Sequence, residues 1–194
     1  MNIIRLATPN DASAILSIYG PYCDQSSVSF EIAAPSVEEM ARRISTNTEK
    51  YPWLVCEHDG GICGYVYASQ HHERAAYRWS VDVAAYIHDA SRGKGLGKIL
   101  YSVLFEILRF QGFFMAFAGI TLPNPESIGL HKWLGFKNGA WHDVSWWELS
   151  LQPEVASPAE AKLIDEVIHT KQWEDAIAGG DQLLQEKMKN KTVA

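Results

Sequence analysis

The sequence predicts an α/β (α+β) domain in which helices pack on a mixed sheet. Helical stretches with capping residues alternate with short runs of β-branched and aromatic residues. A glycine-rich segment at 92–97 joins a predicted strand to a long amphipathic helix. The chain has 194 residues, of which 47 % are hydrophobic, and this favours one domain with a sizeable core.

Two helices and a hairpin are predicted in the first part of the chain. The sequence Thr8-Pro9-Asn10-Asp11 supplies a capping hydroxyl, a proline at the first helical position and an acid, and predicts a helix that ends at Gly20. The sequence Ser36-Val37-Glu38-Glu39 predicts a second, short helix in the same way. The runs at 53–57 and 62–70, joined by a turn, predict a β-hairpin.

Strands and helices alternate along the middle of the chain. Apolar residues recur at helical spacing from Ile99 to Leu108, and this predicts a long helix that ends near Gln111-Gly112. A short helix is expected before Gly135. The remaining predicted elements are strands at 79–87, 114–122 and 141–151 and the short helix at 125–134.

The first domain is predicted to end at residue 152, because the prolines and small residues that follow are typical of a linker. The chain is therefore divided into a domain at 1–152 and a helical C-terminal extension at 153–194. The capping box Ser157-Pro158-Ala159-Glu160 predicts the first helix of the extension. A second helical segment is predicted to stop at Gly179-Gly180, and a third to follow it. An extension of about 40 residues is too small to form a core alone.

Composition and charge exclude several function classes. Seventeen Lys and Arg against twenty-three Asp and Glu give a net charge of -6, too acidic for broad binding of nucleic acid or anionic lipid. The three cysteines, Cys23, Cys56 and Cys63, have no zinc or Cys-x-x-Cys spacing and are predicted to be reduced thiols. The first residues lack a basic leader, and the longest apolar run is far too short for a membrane span. We therefore expect a cytoplasmic protein.

The segment Arg92-Gly93-Lys94-Gly95-Leu96-Gly97 is expected to bind a phosphate group. Its alternating glycines let the backbone approach a ligand, and the helix start and two cations favour an anion there. The alternative is a flexible surface turn with incidental basic residues. The glycine spacing differs from the dinucleotide fingerprint, and this disfavours an oxidoreductase that uses a dinucleotide.

The same segment resembles the acetyl-CoA loop, Arg/Gln-x-x-Gly-x-Gly/Ala, of the GNAT N-acetyltransferase superfamily. Residues 3–151 resemble, within it, the phosphinothricin and methionine sulfone or sulfoximine N-acetyltransferases. The resemblance implies a GNAT fold with a mixed, mostly antiparallel sheet whose strands splay apart to admit the pantetheine arm. It also implies acetyl-CoA as cosubstrate, no metal and a homodimer. The matching stretches are Ser29-Phe30-Glu31, Tyr51-Pro52-Trp53-Leu54-Val55, Gly64-Tyr65-Val66-Tyr67-Ala68, Arg74-Ala75-Ala76-Tyr77, Trp79-Ser80-Val81, Leu122-Pro123-Asn124, Leu130-His131, Gly135-Phe136 and Trp141-His142-Asp143-Val144.

The resemblance implies catalytic roles for two side chains. Asp82 lies where the family has its general base, normally a glutamate, which is one methylene longer; the alternative is a carboxylate that only pairs with a neighbour. Glu31 is a substitute candidate for the base. His131 lies where the family protonates the leaving thiolate; the alternative is a histidine hydrogen-bonded inside a helix interface.

The resemblance also implies two groups of binding residues. Arg74 matches a basic group that binds the acceptor's carboxylate, although its companion position, usually Lys or Arg, is His72 here. Asn124 matches a cofactor contact, but asparagine is also common in turns. The predicted cofactor-binding residues are Ala85, Tyr86, Ile87, Arg92, Gly93, Lys94, Gly95, Leu96, Gly97 and Asn124. The predicted substrate-binding residues are Phe30, Glu31, Arg74, Tyr77 and His142.

The family pattern breaks between Phe136 and Trp141, where a strand of roughly ten residues is missing. We expect the last strand to be left with an unpaired edge, covered by the C-terminal extension or by a second subunit. The predicted function is direct transfer of acetyl from acetyl-CoA to the amine of a small amino acid or analogue, since no cysteine lies in the cofactor motifs. The alternative is a non-catalytic acetyl-CoA-binding protein with a degraded acceptor site.

Overall fold

The computed structural model of the protein contains one seven-stranded sheet with helices on both faces. It describes residues 2–25, 29, 31, 33–140, 144–153 and 155–189. The strands are β1 (Asn2–Leu6), β2 (Trp53–His58), β3 (Gly61–Gln70), β4 (Ser80–Ile87), β5 (Met115–Thr121), β6 (Lys137–Ala140) and β7 (Val144–Ser150). Their order across the sheet is β1-β2-β3-β4-β5-β7-β6, and only the β4–β5 pair is parallel. The predicted mixed, mostly antiparallel sheet is confirmed.

Six α-helices lie in the described part of the chain: α1 (Ala12–Gln25), α2 (Val37–Asn47), α3 (Leu96–Gln111), α4 (Pro125–Trp133), α5 (Ile164–Val167) and α6 (Lys171–Lys189). The capping sequence at Thr8 starts a 3-10 turn, Pro9–Asp11, which leads directly into α1. The helix α2 starts where its capping sequence predicts, with Ser36 Oγ accepting a hydrogen bond from Glu39 N at 3.2 Å. Contrary to expectation, α1 does not end at Gly20 but continues through Pro21. An interior proline removes one backbone donor and crowds the preceding turn, and the buried side chains of Ile18, Tyr19 and Cys23 offset this cost by packing this part of α1 in the core.

The larger core lies between one face of the sheet and α3. Leu100, Leu104 and Ile107 are fully buried there with sheet residues such as Val66 and Val81. Burial of these side chains supplies most of the driving force for this layer.

A smaller core lies under α1 and α2 on the opposite face. Ile15 and Ile44 pack there against Trp53, Val55 and Tyr65. Because strand side chains alternate between faces, Tyr65, Tyr67 and Ser69 of β3 all point to this side.

The sheet opens between β4 and β5. The two strands are joined by three residue pairs only, Ser80–Met115, Val81–Ala116 and Asp82–Phe117. Beyond Asp82, β4 continues along β3, and β5 continues along β7. Parallel neighbours that continue without pairing must diverge, so a cleft begins at Asp82. This is the splay that the family resemblance implies.

The far edge of the sheet corrects one expectation about a missing strand. The strand between Phe136 and Trp141 is shortened rather than absent, because β6 pairs with β7 through Lys137–Glu148 and Asn138–Trp147. The edge of β7 is therefore paired by β6.

The C-terminal extension lies at the opposite edge of the sheet. Ile4 N of β1 donates a hydrogen bond to Asp181 Oδ1 at 2.6 Å, and α6 packs on α3 and β1. Ile164, Val167, Trp173 and Leu184 of the extension belong to the larger core. The expectation that the extension covers the last strand is therefore wrong, because its apolar residues fit the groove beside α3.

The helices of the extension also differ from prediction. Instead of stopping at Gly179-Gly180, α6 runs through both glycines. The predicted capping box at 157–160 starts no helix, and α5 begins only at Ile164. The segment before α5 stays non-helical because Gln111 binds its backbone: Gln111 Nε2 donates to Lys162 O at 2.8 Å, and Lys162 N donates to Gln111 O at 2.6 Å.

Two further sequence expectations concern membranes and thiols. Among the described residues, no helix combines the length and the apolar character that crossing a bilayer requires. Cys23, Cys56 and Cys63 are buried free thiols.

Candidate active site

The glycine-rich loop forms the start of α3, at the end of β4 where the cleft opens. Gly93 and Gly95 have positive φ angles of 70° and 80°, the left-handed region that glycine adopts without strain. No side chain caps the helix at Gly95. Within the described ranges, the amide groups of residues 93–98 donate no hydrogen bond to the protein. The loop therefore offers free backbone donors and the positive end of a helix dipole to an anion.

The helices α1, α4 and α6 contact the glycine-rich loop, and basic side chains lie around it. Arg92 Nη2 lies 2.7 Å from Asp89 Oδ1 and donates to the hydroxyl of Tyr22 in α1. A Cβ at Gly97 would lie 3.1 Å from Leu130 Cδ2 of α4, so the glycine allows α3 and α4 to approach. Lys187 of α6 reaches within 3.9 Å of the Cβ position of Gly95. The extension thus brings a third lysine or arginine side chain to the loop.

The backbone of Ala85, Tyr86 and Ile87 lies in the unpaired half of β4. On one side these residues pair with Val66, Tyr65 and Gly64 of β3. On the other side β5 has diverged. Their outward carbonyl and amide groups face the cleft as a strand edge, which can pair with an extended ligand.

Asp82 is the last β4 residue that pairs with β5, and its carboxylate is bonded to His71. The distance from His71 Nδ1 to Asp82 Oδ1 is 2.7 Å. The His71 side chain is 9 % exposed, whereas that of Asp82 is 33 % exposed. Asp82 therefore combines a fixed hydrogen-bond partner with access to solvent.

Opposing effects act on the pKa of Asp82. Burial, the largest, raises the pKa above the ordinary aspartate value of 3.8, and the hydrogen bond and charge of His71 lower it. The net result is a raised pKa, as a proton-accepting group in a cleft requires.

Glu31 lies beside a cavity of about 450 Å³ between α1, α2 and the sheet. The cavity floor consists of aromatic rings, with Trp53 and Tyr67 stacked at a centroid distance of 4.4 Å. Glu31 Oε1 accepts a hydrogen bond from Arg43 Nη1 at 2.7 Å and another from Tyr19 at 3.1 Å. Burial and the charges of Asp82 and Glu31 raise the pKa of Tyr67 to about 12. The hydroxyl of Tyr67 therefore interacts electrostatically with the carboxylates of both Asp82 and Glu31.

The predicted acceptor-binding residues are only partly described. Arg74 and Tyr77 lie on the connection between β3 and β4, and Tyr77 is 39 % exposed. Within the described ranges, Arg74 has no ion pair or side-chain hydrogen bond. Phe30 and His142 lie outside the residues that the structure describes.

His131 and Asn124 both belong to α4. Asn124 Oδ1 caps the helix by accepting from Ser127 N at 3.1 Å. His131 is 5 % exposed, and its Nδ1 lies 2.8 Å from Ser127 O while its Nε2 lies 3.2 Å from the Tyr101 hydroxyl. Burial lowers the pKa of His131, so the ring is neutral, with Nδ1 donating and Nε2 accepting.

His71 was not among the predicted site residues. A signal was nevertheless present, because His71 directly follows β3 and continues the alternation of Tyr65, Tyr67 and Ser69 with a period of two. Ser69 pairs directly with Asp82. In the ranges that the structure describes, no group of three or more His, Cys, Asp or Glu side chains is arranged to hold a metal ion.

Comparison with protein families gives a match over most of the chain. The model of the acetyltransferase (GNAT) domain matches residues 4–142. The chain is 35 % identical over 156 residues to the phosphinothricin N-acetyltransferase of Streptomyces viridochromogenes, covering 75 % of this chain and 85 % of that protein. It is 30 % identical over 168 residues to the L-methionine sulfoximine/L-methionine sulfone acetyltransferase of Salmonella typhimurium, covering 80 % and 98 %.

Solved structures agree with this match. A phosphinothricin acetyltransferase from Sinorhizobium meliloti, crystallised with acetyl-CoA, superposes with a TM-score of 0.76 at 34 % identity and covers 82 % of this chain and 94 % of its own. An acetyltransferase from Salmonella typhimurium with its cofactor acetyl-CoA has a TM-score of 0.75 at 29 % identity, covering 81 % and 98 %.

Proposed function

This chain belongs to the acetyltransferase (GNAT) domain family and is an N-acetyltransferase, and on that premise we propose that it acetylates the α-amino group of a small amino acid or analogue. The acetyl donor is acetyl-CoA. The acceptor class includes phosphinothricin, methionine sulfone and methionine sulfoximine, after the names of the relatives. The main support is the position of Asp82 where the splay begins, on the strand that leads to the glycine-rich loop.

In this proposal the cofactor lies along β4 and the start of α3. The free amides of residues 93–98 bind the diphosphate, with Arg92 and Lys94 adding positive charge. The pantetheine arm pairs with the backbone of Ala85, Tyr86 and Ile87, and Asn124 at the head of α4 forms the opposite wall. This places the thioester beside Asp82.

The chemistry is a direct transfer. Asp82 accepts a proton from the acceptor's ammonium group, and the free amine attacks the thioester carbon to form a tetrahedral oxyanion. The carbon–sulfur bond then breaks, and the nitrogen of the tetrahedral intermediate loses its extra proton while the thiolate gains one. The family resemblance gives His131 the role of proton donor to the thiolate, and in the structure its neutral ring accepts at Nε2 from the Tyr101 hydroxyl. We therefore propose that His131 relays the proton: Nε2 takes up the proton that the nitrogen loses and returns it, through the Tyr101 hydroxyl, to the thiolate.

The acceptor is held, in this proposal, by the side chains that the family resemblance implies. Arg74 has no ion pair within the described ranges, so its guanidinium is available for the acceptor's carboxylate. Glu31 and Tyr77, together with Phe30 and His142, complete the proposed substrate-binding group. The aromatic cavity beside Glu31 accommodates the acceptor's side chain.

The proposal also includes a homodimer in the cytoplasm, with the acetyltransferase domain ending at residue 152 and the extension packed into its core. Trp146 is 41 % exposed on β7, next to the aromatic residues around Asp82. An exposed tryptophan of this kind is typical of interfaces. Analytical ultracentrifugation of the purified chain, with Trp146→Ser as the variant, tests the dimer.

A thiol-release assay tests the function. The purified protein is mixed with acetyl-CoA and, in turn, phosphinothricin, methionine sulfone, methionine sulfoximine, ordinary amino acids and polyamines. We expect release of thiol with at least one amino-acid analogue and none with polyamines. Calorimetry with acetyl-CoA measures cofactor binding separately. Binding without thiol release from any acceptor would instead favour a non-catalytic acetyl-CoA-binding protein.

The variant Asp82→Asn tests the role of the carboxylate. General base catalysis contributes about 10²–10⁴ in rate, so we expect kcat to fall at least about tenfold. The affinity for acetyl-CoA in calorimetry should not change, because the side chain is not part of the phosphate loop. Equal turnover of variant and wild type would contradict the assignment and direct attention to Glu31.

A further inference from the structure

His71 is held in a fixed orientation by its neighbours. Its ring stacks on Phe117 of β5 with a centroid distance of 4.1 Å and an interplanar angle of 7°. His72, Tyr77 and Trp146 approach it at 4.1, 5.6 and 6.2 Å. A buried ring enclosed in this way has little rotational freedom, so its nitrogen atoms point in set directions.

One nitrogen of this ring is used to bind Asp82. An ionised carboxylate only accepts hydrogen bonds, so the Nδ1–H of His71 is the donor to Oδ1. In the described part of the molecule, Asp82 Oδ2 has no hydrogen bond to another residue. We propose that His71 is a positioning residue for the catalytic carboxylate, holding Oδ1 so that Oδ2 faces the acceptor amine. This inference rests on the proposed function.

A shorter side chain at this position gains from such a partner. Aspartate brings its carboxylate less far into the cleft than the glutamate expected at this position, so its orientation must be correct for a proton to be transferred directly or through one water. A hydrogen bond from a stacked imidazole fixes both the side-chain rotamer and the plane of the carboxylate. The family's longer side chain is thus replaced by a shorter one with a rigid support.

The same bond affects the ionisation of Asp82. Burial raises the pKa of Asp82, and the hydrogen bond and charge of His71 oppose this increase. The titratable groups around the ring are Asp82 on β4 and His72 and Tyr77 on the β3–β4 connection. On β7, Glu148 pairs with Phe117 and shares its sheet face. Loss of the His71 donor should therefore raise the pKa of Asp82.

Two substitutions at His71 separate positioning from packing. His71→Phe preserves the stacking on Phe117 but has no donor, whereas His71→Asn places an amide N–H near the position of Nδ1. We expect His71→Phe to lower kcat/KM about tenfold at neutral pH and to shift the acidic limb of its pH profile to higher pH. His71→Asn should restore most of the activity and the wild-type limb. The affinity for acetyl-CoA should stay constant throughout, and the exposed His169→Asn serves as a control.

A wild-type pH profile and wild-type activity in His71→Phe would overturn the proposal. If His71→Phe does not fold, nitrogen-15 NMR of the wild-type imidazole gives the answer. We expect the tautomer with hydrogen on Nδ1, and a bare Nδ1 would refute the bond to Asp82. If the wild-type protein releases no thiol with any acceptor, the proposed function is wrong. The nitrogen-15 NMR measurement of the His71 tautomer would then still show whether His71 donates a hydrogen bond to Asp82.

Discussion

The buried imidazole of His131 makes the stability of the protein depend on pH, because burial favours the neutral ring. The ring is enclosed by Tyr101, Phe136 and the backbone of Ser127. Burial lowers the pKa of His131 from the ordinary value of 6.5. Below pH 6.5 the unfolded chain therefore binds a proton at this position that the folded chain does not. The free energy of unfolding must fall as the pH decreases from 6.5 toward the folded-state pKa.

We expect the substitution His131→Gln to weaken this pH dependence. Urea unfolding at pH 7.5 and pH 5.5 measures the loss of stability on acidification, which should be smaller in the variant than in wild type. At pH 7.5 the variant should be less stable by about 1–3 kcal/mol, because the hydrogen bonds to Tyr101 and Ser127 are disturbed. The exposed His169→Gln should behave as wild type, and equal pH dependence in wild type and His131→Gln would show that the buried ring is charged.

Single residues of the site differ in how far the sequence identifies them. The sequence could predict that Asp82 lies on a strand and that residues 92–97 lead into a helix, because those patterns are local. The contact of His71 with Asp82 was not predicted, because it depends on the register that pairs Ser69 with Asp82 across a nine-residue connection. A hydrogen bond between two side chains can be predicted only when the register of the two strands is known. The amino-acid composition does not give that register.

At the level of elements, α6 shows how packing overrides a helix-breaking sequence. Gly179 and Gly180 were expected to end a helix, since glycine is the weakest helix former after proline. In the structure the second of them is buried and the first is exposed. Nothing lies within 4 Å of a Cβ at Gly179, whereas one at Gly180 would meet Val103 at 2.4 Å and Ile4 at 2.8 Å.

The two glycines should respond in opposite ways to substitution by alanine. Gly179→Ala should stabilise the protein by about 0.5–1 kcal/mol, because alanine favours a helix and meets no atom there. Gly180→Ala should destabilise it by about 1–3 kcal/mol, because the methyl group overlaps Val103 and Ile4. Thermal and urea unfolding of the two variants measure both effects. A stabilising Gly180→Ala would mean that α6 does not pack against α3 at this distance.

A capping sequence predicts a helix only where the residues after it can pack. Ser36 caps α2 as its sequence indicates, whereas the capping box at 157–160 starts no helix. The capping role of Asn124 in α4 was not predicted. The short strands β1 and β6 were missed, because strands of five and four residues gain their stability from pairing with β2 and β7 rather than from a pattern of their own. Likewise, Gln111 keeps the segment before α5 from becoming a helix, and that contact spans 51 residues of sequence.

For the molecule as a whole, the extension is part of the main fold. Ile4 N on the edge strand β1 donates to Asp181 of α6 at 2.6 Å, so the extension satisfies an edge group that would otherwise be open. Leu184 is fully buried in the same core as Leu100 and Leu104 of α3. Because these side chains share one core, the extension and the residues before 152 should unfold together.

Adjacent leucines of α6 provide a test of this cooperativity. Leu184 is 0 % exposed and Leu183 is 43 % exposed. Leu184→Ala should lower the free energy of unfolding by about 2–5 kcal/mol and shift the unfolding of the sheet itself, followed by tryptophan fluorescence. Leu183→Ala should change it by less than about 0.5 kcal/mol. Two separate transitions, with only the first sensitive to Leu184→Ala, would show that the extension folds apart from the domain. A single unfolding transition whose midpoint shifts in Leu184→Ala would show that α6 stabilises the sheet as well as itself. This is expected because α6 contacts β1 and also α3, the helix that begins at the glycine-rich loop.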